Sequence, residues 1–238
     1  MRLRTQLAAA ASQAMLLLAG SVSAGAAEPA ARALLFAKLP DWTGLWQTQA
    51  GAAAVSGAGA RAAAQGAASL PSSFESCGAV GFPTVMTVPL ADFMFELLVT
   101  PEQTVLVSTD GTVRHIYTDG RSHPKSRDLW PTPVGDSIGH WEGATLVVDT
   151  IAREPGPVAP IPGSPVLSAA AHFTERLRRL NADTLEDAMT IDDPQGLKQP
   201  SHSTIHYTRV HDIDRLIRID CEHDRNTVGE NHGIAPPR

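Results

Sequence analysis

The 238-residue chain carries 19 Lys and Arg against 25 Asp and Glu, a formal net charge of −6, and 43% of its residues are hydrophobic. That acidic balance leaves no basic patch to neutralise phosphates, so nucleic-acid binding is excluded. Phosphate loops of the Gly-x-Gly-x-x-Gly or Walker kind are missing too, and no cofactor is expected.

The first residues have the form of a secretory signal. Arg2 and Arg4 precede an apolar run from Ala8 to Gly20, and small residues follow at Val22-Ser23-Ala24 and Ala24-Gly25-Ala26. The run is shorter than the roughly 20 residues a membrane span needs, and no later segment qualifies. Residues 1–26 are therefore expected to be removed, leaving a periplasmic or secreted protein with no membrane span. Loss of Arg2 and Arg4 leaves 17 basic against 25 acidic side chains, a net −8. Residues 27–238 fit one larger β domain, long enough to bury a core. In an oxidising compartment Cys77 and Cys221 are expected to form a disulfide, since the count is even. The chain-entropy gain for so long a loop reaches about 4–5 kcal/mol. The alternative is one buried and one exposed thiol.

Asp41 to Gln47 looks like the entry to a first strand. An insertion at about 50–70 is almost wholly Ala and Gly, with little to bury, and is expected to be flexible. From Val85 the pattern is β. Strands are expected over Phe93 to Val99, Thr104 to Ser108, Val113 to Thr118, Ser137 to Glu142 and Thr145 to Ile151. Asp110-Gly111, Asp119-Gly120 and Gly143 supply turns between them, as an antiparallel meander requires. Pro155, Pro157, Pro160, Pro162 and Pro165 then make a stiff extended loop unsuited to a central strand. Further strands are expected over Ala170 to Leu180, Thr184 to Ile191, Ser203 to Val210 and Arg215 to Glu222.

Eight to ten such strands can close into an up-and-down barrel, which removes exposed sheet edges. Gly44-Leu45-Trp46 resembles the Gly-x-Trp signature of lipocalin-like barrels, where the Trp packs across the closed end. The expected fold is all-β, an antiparallel up-and-down meander forming a lipocalin-like barrel. A β-sandwich is the alternative.

Strand parity sorts the candidate site residues, because alternate side chains share a face. Glu175 lies on the same face as Phe173 and Leu177, and Asp187 on the face of Leu185 and Met189. Both read as inward carboxylates, whose burial would raise the pKa unless a cation such as Arg pairs with them. His115, Tyr117 and Asp119 share one face, while Trp141 and Glu142 fall on opposite faces. Acid–base chemistry would use Glu175 or Asp187 as base, with His115, Tyr117 or His140 as donor. The competing structural reading pairs Glu175 with Arg176 or Arg114 and makes Asp119 the cap of its own turn.

His202, His206, His211 and His223 follow no close-spaced zinc pattern, so no metal site is expected. Ser137, in Gly135-Asp136-Ser137-Ile138-Gly139, stands before a strand rather than a helix and is not read as a nucleophile.

Four segments together resemble a family of exported bacterial proteins, mostly hypothetical. They are Arg114 to Pro124, Gly135 to Thr150, His172-x-x-Glu175-Arg176 and Thr190-Ile191-Asp192-Asp193-Pro194. The resemblance runs from about Cys77 to Cys221. It implies that Tyr117, Asp119, Arg121, His123, Trp141, Glu142, Asp149, His172, Glu175, Arg176 and Asp192 occupy motif positions. Ala144 and Ala169 depart from the pattern, where acids are expected.

Two functions remain. One is a barrel holding a small, mostly apolar organic molecule, with Glu175, His172, Tyr117 and His140 as catalytic candidates. Arg176, Asp119, Arg121, His123, Trp141, Glu142, His115 and Asp187 are then its ligand-binding candidates. Isomerase, hydratase or lyase chemistry would extend that reading. The other is a non-catalytic envelope protein whose polar motifs fix turns and register. A metal-dependent hydrolase comes third.

Overall fold

Nine strands close on themselves in the computed structural model, which describes residues 33–49, 80–87, 89, 93–158 and 164–218. The expected signal segment, the Ala/Gly-rich insertion and both cysteines fall outside the described residues. The barrel strands are β1 (Leu45–Thr48), β2 (Met94–Val99), β3 (Gln103–Ser108), β4 (Val113–Tyr117), β5 (Asp136–Glu142), β6 (Thr145–Ile151), β9 (His172–Asn181), β10 (Thr184–Asp192) and β11 (Ser201–Val210). A two-stranded ribbon, β7 (Gly156–Pro157) and β8 (Val166–Leu167), flanks the Pro-rich segment outside the barrel. The fold is all-β and lipocalin-like, as the strand pattern requires. Among the described residues no helix is long and apolar enough to cross a membrane.

The meander fails at one place. Round the ring β1-β11-β10-β9-β6-β5-β4-β3-β2, every neighbouring pair is antiparallel except β4 with β5, which is parallel. Strand direction must return to itself around a closed ring, so an odd number of strands cannot all alternate. Asp119-Gly120 therefore does not turn β4 back on itself. Residues 118–135, including a 3₁₀ turn at Ser126–Asp128, carry the chain across the barrel so that β5 starts in the direction of β4. A second correction concerns the last expected strand: residues 215–218, its described part, lie in no strand. The barrel is completed instead by β11 pairing with β1.

Alternation places the core where apolar parity puts it. Leu106, Ile116, Leu146, Val148, Phe173, Leu177, Leu185, Met189, Ile205 and Tyr207 all point inward and are buried. Each large apolar side chain so buried contributes about 1.5–3 kcal/mol. One barrel end is shut by tryptophans. Trp46 is fully buried and donates from Nε1 to the Trp42 carbonyl at 3.0 Å, while Trp42 packs on Trp141 with ring centroids 5.2 Å apart. The Arg209 guanidinium lies 5.5 Å from the Trp46 ring centroid. Gly44 is required there: its φ is +117°, and an added Cβ would stand 2.7 Å from Arg209 Nε.

The other end is covered by residues 80–87, with a single helical turn at Thr84–Thr87. Phe82, Val85 and Met86 plug the opening. Hydrogen bonds hold the cover to the barrel, among them Val80 N to Asp110 Oδ2 at 2.7 Å, Phe82 N to Pro133 O at 3.0 Å, Thr84 Oγ1 to Val158 O at 2.9 Å, Thr48 Oγ1 to Met86 O at 3.3 Å, and Arg153 Nε to Phe82 O at 3.0 Å.

Candidate functional site

The inward parity of β4, β5, β6, β9, β10 and β11 brings a polar group together beneath that cover. Its centre is Arg114, fully buried on β4. Arg114 donates from Nε to Ser137 Oγ at 3.2 Å and from Nη2 to Thr150 Oγ1 at 2.9 Å. Both Nη atoms face the Glu175 carboxylate, Nη1 at 3.0 Å from Oε1 and Nη2 on Oε2, in a bidentate ion pair. The Phe82 ring lies 3.8 Å from the guanidinium carbon, and Met86 Sδ is 3.2 Å from Nη1. This pair spans the barrel, because β5 and β6 separate β4 from β9. Taking two charges out of water is costly, and a bidentate geometry with the remaining donors satisfied is what offsets it.

Beside the pair stand two groups with unmet hydrogen-bonding capacity. Neither oxygen of Asp187, nor the Tyr207 hydroxyl, has an aligned hydrogen-bond partner among the described residues, and both side chains are fully buried. Burial first, and then the neighbouring Glu175 charge, push the Asp187 carboxyl well above the usual carboxylate range. Arg114, already paired with Glu175, offsets this only in part. Burial and the Glu175 charge both favour the protonated form of the Asp187 carboxyl. Tyr207 is likewise pushed well up by burial, then by the Asp187 and Glu175 charges, so it keeps its proton. Phe95 packs edge-on against Tyr207 at 5.0 Å.

The remaining candidates, Trp141 apart, sit outside the barrel wall. His172 does not approach Glu175; its Nε2 is 2.8 Å from Asp149 Oδ2, on the outer face. His123 bridges two carboxylates, with Nδ1 2.5 Å from Asp136 Oδ1 and Nε2 2.8 Å from Asp149 Oδ1. The result is a chain, Asp136–His123–Asp149–His172, that pins the crossover segment to β5, β6 and β9. Burial acts to raise Asp149, but hydrogen bonds from His123 and His172 outweigh it and hold the carboxyl below its usual range. Tyr117 lies under the Arg121 guanidinium, 4.0 Å from its ring centroid, and stacks on His115 at 6.0 Å. Asp119 pairs with Arg121, and His115 meets Gln103 at 3.1 Å. Arg176 pairs with Glu142 at 2.7 Å, and His140 is 3.3 Å from the same carboxylate. Trp141 points inward, but towards Trp42 at the far end.

Sequence parity therefore placed Glu175 and Asp187 inward; the acid–base reading gave them the wrong partners, while the structural alternative of a Glu175–Arg114 pair is what forms. His115, Tyr117 and His140, expected as donors to the interior acid, lie on the outer face, as does the catalytic candidate His172. Two interior residues were missed in that role. Arg114 was weighed only as a structural ion-pair partner, although it shares a face with Ile116, and Tyr207 shares one with Ile205. Ser137 stands inside β5 with its hydroxyl on Arg114 and Thr150, not on an elbow.

Hollows among the described residues lie elsewhere. A groove of about 310 Å³ runs on the outer wall along Thr174, Arg176, Thr190, His202 and Thr204, and none of the orphaned polar atoms lines it. A smaller one of about 200 Å³ lies between Phe36, Leu39, Trp42, Leu97 and Val99 at the tryptophan end. Among the described residues no three His, Cys, Asp or Glu side chains form a group able to hold a metal ion.

Fold and interior together define a closed β-barrel with a buried ion pair and an adjoining buried aspartate and tyrosine. No family profile matches the chain, and no curated protein matches it.

Proposed function

We propose that this chain is a periplasmic or secreted barrel that binds a small, mostly apolar organic molecule in its interior, against Asp187 and Tyr207. The observation that carries this is the pair of buried, unpartnered groups on adjoining strands. Leaving a buried polar group unsatisfied costs about 1–3 kcal/mol. Neither residue fixes a turn or caps a strand end, although Asp187 adjoins the Glu175 side of the Arg114 pair, whose carboxylate acts on it. Phe95, Leu185, Ile205 and Met189 belong to the buried apolar core around these two groups. Met86, an unbranched and adaptable side chain, is the part of the cover best able to give way. Cofactor-free acid–base chemistry would extend this reading. Its proton donor is then Asp187, not His172, Tyr117 or His140.

Native mass spectrometry of the protein isolated from its own cell envelope tests the proposal. A bound organic molecule that survives desalting, and is lost from Asp187→Leu, is the expected result. Bare polypeptide in every charge state, with no uptake from a hydrophobic compound library, would sink it. The second reading, a non-catalytic envelope protein, is favoured by the hydrogen bonds that hold the cover and would then stand.

A further inference from the structure

We infer that the tryptophan end of the barrel holds a separate binding site, for a neutral molecule about one ring in size that carries a hydrogen-bond acceptor. This site goes beyond the interior reading above and uses none of its residues.

Two observations meet there. A hollow of about 200 Å³ lies between Phe36, Leu39, Asp41, Trp42, Leu97 and Val99. Trp42, one of its walls, is buried, and its single side-chain polar atom, Nε1, has no hydrogen-bond partner among the described residues. The larger groove on the outer wall has no such atom in its lining. An indole N–H only donates, so what Trp42 lacks is an acceptor. Trp141, packed on Trp42, cannot supply one, because its own Nε1 is a donor equally without a partner.

Floor and roof of the hollow are built differently. Residues 41–43 are fixed across the barrel end: Arg179 Nη1 donates to Asp41 O at 2.6 Å, Trp46 Nε1 to Trp42 O at 3.0 Å, and Arg209 Nη2 to Thr43 O. Leu97 and Val99 come from the inward face of β2. Phe36 and Leu39, three apart on one helical turn, close the hollow from outside. A single turn has little stability of its own, so the roof gives way more easily than the floor.

Size and charge narrow the ligand. A cavity of roughly 150 Å³ accommodates benzene, so this one takes a single ring with a small substituent. Phe36, Leu39, Leu97 and Val99 supply apolar walls for it. Anions are disfavoured by Asp41, whose carboxyl the hydrogen bonds from Thr43 hold below its usual range. An ammonium group would be drawn to Asp41 and to the indole face, but it would leave Nε1 unmet. A hydrocarbon leaves Nε1 unmet as well, which a donor-bearing site penalises.

Acetophenone, ethylbenzene, 1-phenylethylamine and benzoate share one shape and separate these cases. The four tryptophans give indole N–H resonances in a proton–nitrogen spectrum of the native protein, assigned through Trp→Phe variants. Acetophenone should move the Trp42 resonance downfield, ethylbenzene should not, and the ketone should bind about fivefold to tenfold more tightly. Trp42→Phe, which keeps a ring and loses the donor, should bind the two equally. Val99→Phe, which puts a ring into the hollow, should bind neither, and it decides the matter if Trp42→Phe does not fold. An unmoved Trp42 resonance at saturating acetophenone would overturn the proposal, as would tighter binding of the amine or of benzoate. Undiminished binding to Val99→Phe would place the ketone elsewhere and overturn it too. Asp187→Leu should leave the Trp42 shift as it is, so this site and the interior one fail independently.

Discussion

The interior centre and the outer histidine chain use the same kinds of residue to opposite effect. Asp187 and Asp149 are both strand aspartates with an ionisable neighbour. Asp187 is buried beside a carboxylate and holds its proton, whereas Asp149 is half-exposed between two imidazoles and gives its proton up easily. One barrel wall separates the two environments. Solvent access, not residue type, decides which aspartate can donate a hydrogen bond and which accepts.

The sharpest way to break this contrast is to remove one member of the buried ion pair. Glu175→Gln leaves the Arg114 charge without its counterion inside the barrel and should cost about 3–5 kcal/mol, measured by urea unfolding. The double variant Arg114→Met, Glu175→Leu should cost less than either single change, because no charge then remains buried. Equal or greater loss in the double variant would show that packing around the pair, not its charge, holds the centre. Glu175→Gln thus probes stability first, and a ligand effect is better sought at Asp187 or Tyr207.

Asp187 gives the next largest effect through pH. Its folded pKa lies above the ordinary value of 3.8, so the folded state binds the proton more tightly than the unfolded state. Stability from this group is therefore complete below that ordinary value and is lost as pH rises towards the folded pKa. Asp187→Asn removes the dependence. The variant should gain on the native protein between about pH 4 and pH 8, and unfolding curves at the two ends measure the gain. A constant difference across that range would mean that Asp187 is ionised in the fold.

How far the contrast was legible in the sequence depends on which residue is asked about. Phe173-Thr174-Glu175-Arg176-Leu177 alternates cleanly, and its period of two points Glu175 inward. Val113-Arg114-His115-Ile116-Tyr117 does not: Val113 and Ile116 lie on opposite faces, so hydrophobicity gives no vote. Ile116 proves to be the inward one, and Arg114 goes with it. The crossover through residues 118–135 is harder still to read. Asp119-Gly120 has the composition of a hairpin turn, and only the closure of an odd-numbered ring forces it to do something else.

Smaller effects test the outer chain. His123 joins Asp136 on β5 to Asp149 on β6 while holding the crossover, and is mostly buried. His123→Ala should cost about 1.5–3 kcal/mol, the range for hydrogen bonds to charged groups. His172→Ala removes a half-exposed contact and should cost about 0.2–1 kcal/mol. Reversal of that order would mean that His172 does more than decorate the wall.

The smallest expected effect belongs to Asp149, and its sign is the reverse of that at Asp187. With a folded pKa below the ordinary 3.8, its contribution is present above that value and lost as pH falls through the folded pKa. Asp149→Asn should therefore destabilise the protein slightly at neutral pH, by about 0.2–1 kcal/mol for a pair this exposed, and the deficit should vanish in acid. Added salt should shrink it further, because screening reaches an exposed pair and leaves the Asp187 profile nearly untouched. Two aspartates whose stability profiles cross in pH, one sensitive to salt and the other not, would locate the wall between them from solution data alone. Parallel profiles would place both carboxyls in the same solvent, and the neutral acid inside the barrel would be lost.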